Sequence, residues 1–251
     1  MLGTYTAGKR PQGIAFDGQR IWIVNALPAN PGDPLTVSRL WARDGTQAGP
    51  PVELGTFPSP VEGGYAAFDG TSIWVSVTNT HNELKKIRPS DGVILMTKTV
   101  GSNPGKLLFD GVSLWVANIG DDNIMKLDPS DGEVLDTCPV GDAPLSLAFD
   151  GQSIWVSNVN SNSVMKVDRL DCTILSTFPF ANSPTGLIFD GAHIWVPWRT
   201  PNQLDGNITK IRVSDGSVIG IYPVGDNPLA AIFDGSSIWT ANNGSNDVSK
   251  L

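Results

Sequence analysis

The chain has 251 residues, a formal net charge of -8, 40% hydrophobic and 17% charged residues, an ordinary composition for a globular fold with enough length for one large domain or two small ones. The negative charge and the lack of an extended Lys/Arg cluster argue against nucleic acid and anionic membrane surfaces as partners. No apolar run is long enough for a membrane span, and MLGTYTAGKRPQG lacks the basic and apolar regions of a signal peptide.

The 27 Gly, 19 Pro and 8 Trp describe a turn-rich chain punctuated by aromatic residues, and the punctuation is periodic. FDG occurs six times, with its Asp at Asp17, Asp69, Asp110, Asp150, Asp190 and Asp234, giving steps of 52, 41, 40, 40 and 44 residues. A period near forty marks a repeat array. Within one unit the pattern predicts four short strands: LSLAF, then a turn at Asp150 and Gly151; SIWVSN, then a polar loop; SVMKVD, then a turn; and TILSTF. Four antiparallel strands per repeat make a propeller blade, so the expected fold is all-β, one six-bladed β-propeller domain over residues 1–251. The last repeat ends after its third strand, and LGTYTAG near the N-terminus is phrased like the fourth strands elsewhere. The N-terminal strand is therefore expected to complete the last blade and close the ring.

Residues shared by all blades are expected to be structural. Trp22, Trp74, Trp115, Trp155, Trp195 and Trp239 should pack between blades. The column Arg39, Lys86, Lys126, Lys166, Lys210 and Lys250 should lay aliphatic stems on apolar surface with the charge in water. The FDG aspartates should bond local backbone, and Asn25, Asn118, Asn158 and Asn242 should close the loops that follow the second strands. Cys138 and Cys172, the only cysteines, align to opposite faces of successive units and are expected as two free thiols.

A site for one asymmetric ligand must break the repeat symmetry. Blades 2 and 5 carry Val77 and Trp198 where the others carry Asn. The first-strand column Gly13, Tyr65, Lys106, Ser146, Gly186, Ala230 is small except at Tyr65 and Lys106. Long loops after Asn25 and Trp198, with THNE in blade 2, gather on the same expected face. Trp198, Arg199, Tyr65, Lys106, His81 and Glu62 are thus the candidate ligand-binding residues, around the mouth of the expected central channel. His193, in a turn on the other face, is expected to be exposed and inert.

The phrase "VG…P…FDG…IWV.N…N.V.K.D…G", whole over residues 140 to 172 and again from Val224, resembles the bacterial YVTN and NHL-like β-propeller repeats along the whole chain. The resemblance implies the propeller and a periplasmic or extracellular location; such propellers serve as scaffolds, binders, lyases and lactonases. The expected role is a non-catalytic module recognising a peptide, glycan or protein partner at the channel mouth. The alternative is a propeller enzyme of lyase or lactonase type using a metal at the channel. No Gly-x-Ser-x-Gly, phosphate loop or His/Asp/Glu cluster with metal-ligand spacing supports catalysis. No resident cofactor is expected, with calcium the one candidate ion, because its oxygen ligands are available at Glu62, Asp121, Asp122, Asp205 and Asp247.

Overall fold

The FDG tripeptides turn the chain because only glycine suits their last position. In a computed structural model describing residues 4–26, 34–56, 64–78, 81–200 and 205–251, Gly18, Gly70, Gly111, Gly151, Gly191 and Gly235 have φ between +91° and +99°, which L side chains resist. Nothing lies within 4 Å of where a Cβ would stand at any of them. Backbone conformation, not space, therefore dictates glycine. The preceding Asp locks the turn: Asp150 Oδ1 accepts from the Gln152 and Ser153 N–H groups at 2.8 and 2.6 Å. Register follows, with Phe149 opposite Ile154, and the same pairing recurs at Phe16 and Ile21, Phe68 and Ile73, and Phe233 and Ile238.

Six antiparallel sheets follow in chain order. The first holds β1 (Pro11–Phe16), β2 (Arg20–Asn25), β3 (Pro34–Trp41) and β4 (Val52–Thr56); the second β5 (Ala66–Phe68), β6 (Ile73–Val77), β7 (Glu83–Ile87) and β8 (Ile94–Thr99). The third holds β9 (Pro104–Phe109), β10 (Leu114–Asn118), β11 (Asn123–Leu127) and β12 (Val134–Pro139); the fourth β13 (Pro144–Phe149), β14 (Ser153–Asn158), β15 (Ser163–Asp168) and β16 (Ile174–Pro179). The fifth holds β17 (Ile188–Phe189), β18 (His193–Arg199), β19 (Gly206–Arg212) and β20 (Val218–Val224); the sixth β21 (Pro228–Phe233), β22 (Ile238–Asn242) and β23 (Asp247–Lys250). The chain is an all-β, six-bladed β-propeller, and no helix occurs among the described residues.

The sixth sheet holds three strands among the described residues. The segment expected as its fourth strand is fixed by contacts to the first sheet: the Tyr5 ring covers Gly45, the Gln47 amide donates to the Thr6 carbonyl at 3.3 Å, and Gly8 N–H donates to Asn25 Oδ1 at 3.0 Å. Residues 1–3 of that segment lie outside the described residues.

Two compact units make up the chain, one of Met1–Asp121 with Met125–Leu135, the other of Asp122–Ile124 with Asp136–Leu251. Each is built by laying the tryptophan of one sheet on the next. In the first unit Trp22 packs with Ile73, Val75, Val77 and Ile87 of the second sheet, and Trp74 with Leu114, Val116 and Leu127 of the third. In the second unit Trp155 packs with Ile194, Val196 and Ile211 of the fifth sheet, and Trp195 with Ile238 of the sixth. Trp22, Trp74, Trp115 and Trp155 are fully buried. An indole removes a large surface from water, so each tryptophan is the largest single side chain buried in its cluster.

The two cysteines are not free thiols: Cys138 in β12 is disulfide-bonded to Cys172 in the β15–β16 turn, with Cα atoms 5.2 Å apart. Alignment by repeat had set them on opposite faces because it ignores strand twist. The end of β12 instead reaches the following sheet's third-to-fourth strand turn. The same contact puts Tyr5 on Gly45 and Phe178 on Gly216. Cys172 has φ +64°, in the column where Gly45, Gly92, Gly132 and Gly216 have φ between +70° and +83°. A covalent bond thus stands where other seams place a side chain on glycine.

Candidate functional site

The most regular polar feature is a three-residue clasp repeated in every sheet. The FDG carboxylate accepts the Trp Nε1–H of the second strand: Asp17 from Trp22, Asp69 from Trp74, Asp110 from Trp115, Asp150 from Trp155, Asp190 from Trp195 and Asp234 from Trp239, all at 2.7 to 2.9 Å. The basic residue of the third strand then lies over that indole, its charged centre 4.7 to 5.8 Å from the ring centroid. Arg39 and Lys86 are buried, which corrects the expectation of charge in water for those two, whereas Lys250 is exposed; the stacking follows because Trp155 and Lys166, like Trp195 and Lys210, are direct cross-strand partners. Some amines have second partners: Lys86 donates to the Pro129 and Ser130 carbonyls at 2.7 and 2.9 Å, and Lys166 stands 3.2 Å from Asp150 Oδ2.

Burial alone would raise the Asp150 pKa, but the Trp155 indole, the Ser153 and Gln152 N–H groups and the Lys166 charge outweigh it and hold the carboxyl below its ordinary value. Asp17 and Asp190 are lowered against burial in the same way. The clasp is a structural unit whose carboxylate is occupied by backbone and indole N–H groups of its own sheet. The Asn column is likewise internal to the fold: Asn25 Nδ2 donates to Thr36 and Ser38, Asn158 Nδ2 to Ser163, and Asn242 Nδ2 to Asp247 and Ser249.

The first-strand column shows why small residues recur and where two residues depart from them. A Cβ on Gly13 would stand 2.5 Å from the Gly64 carbonyl oxygen, and one on Gly186 3.0 Å from Pro197. Ser146 Oγ accepts the Leu187 N–H at 3.1 Å. Small side chains at Gly13 and Ser146 let one sheet approach the next, and Gly186 leaves room for Pro197 of its own sheet. Tyr65, just before β5, and Lys106, in β9, are the large exceptions, and both belong to the first unit. The Tyr65 backbone is pinned by Ser76 through its N–H to Oγ at 2.9 Å and its carbonyl from Ser76 N–H at 2.9 Å. Burial pushes the Tyr65 phenol up and the Lys106 amine down to about 8. Each ring or amine is thus held part-dry beside neighbouring first strands.

The other candidates are distributed as follows. His81 lies in the first unit, partly buried before β7, whereas Glu62 lies outside the described residues, as do parts of the long loops after Asn25 and Arg199. Trp198 and Arg199 end β18 in the second unit. Trp198 is partly buried and donates its Nε1–H to Thr209 Oγ1 at 2.9 Å, and the Arg199 guanidinium reaches Asn227 Oδ1 at 3.5 Å. Trp198 is therefore a fixed wall with one edge committed to its own sheet.

Two grooves at the FDG-turn ends went unread in the sequence. One, about 620 Å³, is lined in the second unit by Gln152, Phe189, His193, Arg212 and Ser214 among others. The His193 ring is not fully exposed: its Nδ1 stands 3.2 Å from Asp190 Oδ2, with 22% of the side chain accessible. The other, about 390 Å³, occupies the equivalent place in the first unit beside Gln19, Arg20, Phe68, Arg88 and Ser90. The shared phrases KIRPSDG and KIRVSDG in repeats two and five were the available signal.

No family model and no curated protein sequence matches the chain. Among solved structures 1138 chains match, a number too large and diverse for likeness of fold to select a function. Hydrazine synthase of Kuenenia stuttgartiensis is similar at 18% identity and a TM-score of 0.63 over 68% of this chain, which spans 52% of that one. A Bacteroides uniformis protein provisionally assigned as a 6-phosphogluconolactonase is similar at 14% identity and a TM-score of 0.77, over 98% of this chain and 82% of that one. The computationally designed Ika8 protein gives 14% identity and a TM-score of 0.73, over 96% and 70%.

Proposed function

We propose that the chain is a non-catalytic recognition module of the YVTN/NHL-like kind, holding a peptide, glycan or protein partner through residues that depart from its repeat. In the first unit the contacts come from Tyr65, Lys106 and His81; in the second, from Trp198 and Arg199. The observation that carries this reading is Tyr65 with Lys106: two bulky polar side chains on successive first strands, where the other repeats carry Gly13, Ser146, Gly186 and Ala230. Burial pushes the Lys106 amine down to about 8, so its charge state responds to what binds beside it, and an acidic or carbonyl-rich ligand favours the charged form. The Cys138–Cys172 disulfide supports residence in an oxidising compartment, periplasmic or extracellular.

A second reading, an enzyme of lyase or lactonase type, draws on the same lysine, since an amine near neutrality serves as a general base. Among the described residues no group of three or more His, Cys, Asp or Glu could hold a metal, so that reading rests on Lys106, with calcium kept as a candidate ion. A glycan and peptide array, probed with and without chelator, separates the two. Recognition expects a ligand class whose signal falls at least about tenfold in Lys106→Met, the loss of a charge-assisted contact, and does not respond to chelator. Binding undiminished in Lys106→Met would remove the recognition reading, and a chelator-reversed signal coupled to turnover would replace it with the enzymatic one.

A further inference from the structure

Four of the chain's eight arginines, Arg20, Arg39, Arg43 and Arg88, converge at the FDG-turn end of the first two sheets, a concentration of positive charge in a chain of net charge -8. The Arg20 guanidinium lies 4.5 Å from the Trp41 ring centroid and that of Arg43 5.2 Å from the same centroid. Arg39 is buried and donates to the Pro50 carbonyl at 2.9 Å; burial first, and then the charge of Arg20, pull its pKa below the ordinary value. Its guanidinium also borders Gly92, next to the Asp91 that binds Arg88. The carboxylates at this end are Asp17, Asp44, Asp69 and Asp91, and with Lys86, which lies over Trp74, five basic side chains meet four acids.

The basic residues at the groove are departures from the repeat. The Arg20 column reads Ser72, Ser113, Ser153, His193 and Ser237 elsewhere, and the Arg88 column reads Trp41, Asp128, Asp168 and Arg212. Both groove arginines are pinned by an acid three residues away. Asp17 Oδ2 takes Arg20 Nη1 at 3.3 Å, and Asp91 takes Arg88 Nε and Nη2 at 2.8 to 3.0 Å. Pinning fixes each planar fork while leaving donors unspent, and Arg20 Nε is buried without a hydrogen-bond partner. The groove between them, about 390 Å³, adds the Gln19 amide, the Ser90 hydroxyl and the Phe68 ring.

We infer that this groove is an oxyanion site, binding a tetrahedral phosphate or sulfate group between Arg20 and Arg88 with its organic carrier against Phe68. The guanidinium N–H groups that Asp17 and Asp91 leave unspent are donors such a group would take up, and the surplus positive charge is met by the ligand rather than by the protein. The site is independent of Tyr65 and Lys106. It is tested by titration calorimetry of the whole chain with inorganic phosphate, with sulfate, and with acetate and chloride at matched ionic strength. Saturable binding of phosphate or sulfate is expected, weakened at least about tenfold by Arg20→Ser and by Arg88→Gln, as for loss of a charge-assisted fork, and unchanged by Arg212→Gln in the second unit. Preference between the two anions distinguishes a phosphorylated from a sulfated ligand. Arg88, whose side chain is 48% accessible, gives a variant that leaves the core intact should Arg20→Ser fail to fold. Heats that track ionic strength alone, or binding equal in wild type and Arg88→Gln, would overturn the assignment.

Discussion

Trp155→Ala is expected to lower unfolding stability by about 3 to 5 kcal/mol, the range for truncating a buried aromatic residue, without altering the sheet order. Three interactions vanish together. The indole stacks on Phe178 with centroids 5.3 Å apart, donates to Asp150 Oδ2 at 2.8 Å, and supports Lys166 Nζ at 5.2 Å. The cavity faces Ile194, Val196 and Ile211 of the next sheet, which are held by their own strand registers and cannot collapse into it. Trp198→Ala removes a residue of the same type from a partly exposed position with one hydrogen bond, to Thr209, and is expected to cost about 1 kcal/mol. Urea denaturation of both variants is the check. Equal losses would show that shared and departing tryptophans do the same work.

Loss of the disulfide is the second large effect. Cys138 and Cys172 are 34 residues apart in sequence, and the loop-closure relation for a ring of that size gives about 3 to 4 kcal/mol at 25 °C. Reduction, or Cys138→Ser, should lower the melting temperature and loosen β12 from the β15–β16 turn. The double variant Cys138→Phe/Cys172→Gly rebuilds the contact seen between Phe178 and Gly216 and should recover part of the loss under reducing conditions. The same substitution also relieves the positive φ at position 172. Alkylation that finds two reactive thiols in natively folded, oxidised protein would exclude the bond.

The blades were legible because their determinants are local: a glycine at positive φ, an Asp that caps it, and alternation on either side. Phe149 opposite Ile154 follows from FDGQSI alone. What stayed hidden depends on how one sheet sits on the next. Linear alignment pairs residues by repeat position, whereas strand twist sets the end of β12 beside the following turn, so Cys138 and Cys172 looked remote. The clasp was half read. Asp150 was expected to bind backbone and does, but its second oxygen serves Trp155, which requires knowing where the indole edge points. His193, expected to be exposed and inert, was misread for the same reason, since its ring folds back onto Asp190. The arginine groove joins Arg20 to Arg88 across two repeats, a proximity that no single repeat encodes. Tyr65 and Lys106 stood out because symmetry made them conspicuous, and burial shifts the titration of both.

If Lys106 is kept for a ligand rather than for the fold, it should burden the fold, and the melting temperature of Lys106→Met against wild type from pH 6 to pH 10 measures this. The amine titrates at about 8 in the folded chain against 10.5 unfolded. Between these values the unfolded chain holds a proton that the folded chain lacks, so wild-type stability from this group rises with pH, and below pH 8 the burden is present in full. The account expects Lys106→Met to melt above wild type at pH 7, with the gap narrowing towards pH 10. A variant that melts below wild type at pH 7, or a gap that ignores pH, would mean that Lys106 is a structural residue and would contradict the assignment of function to the departures from the repeat.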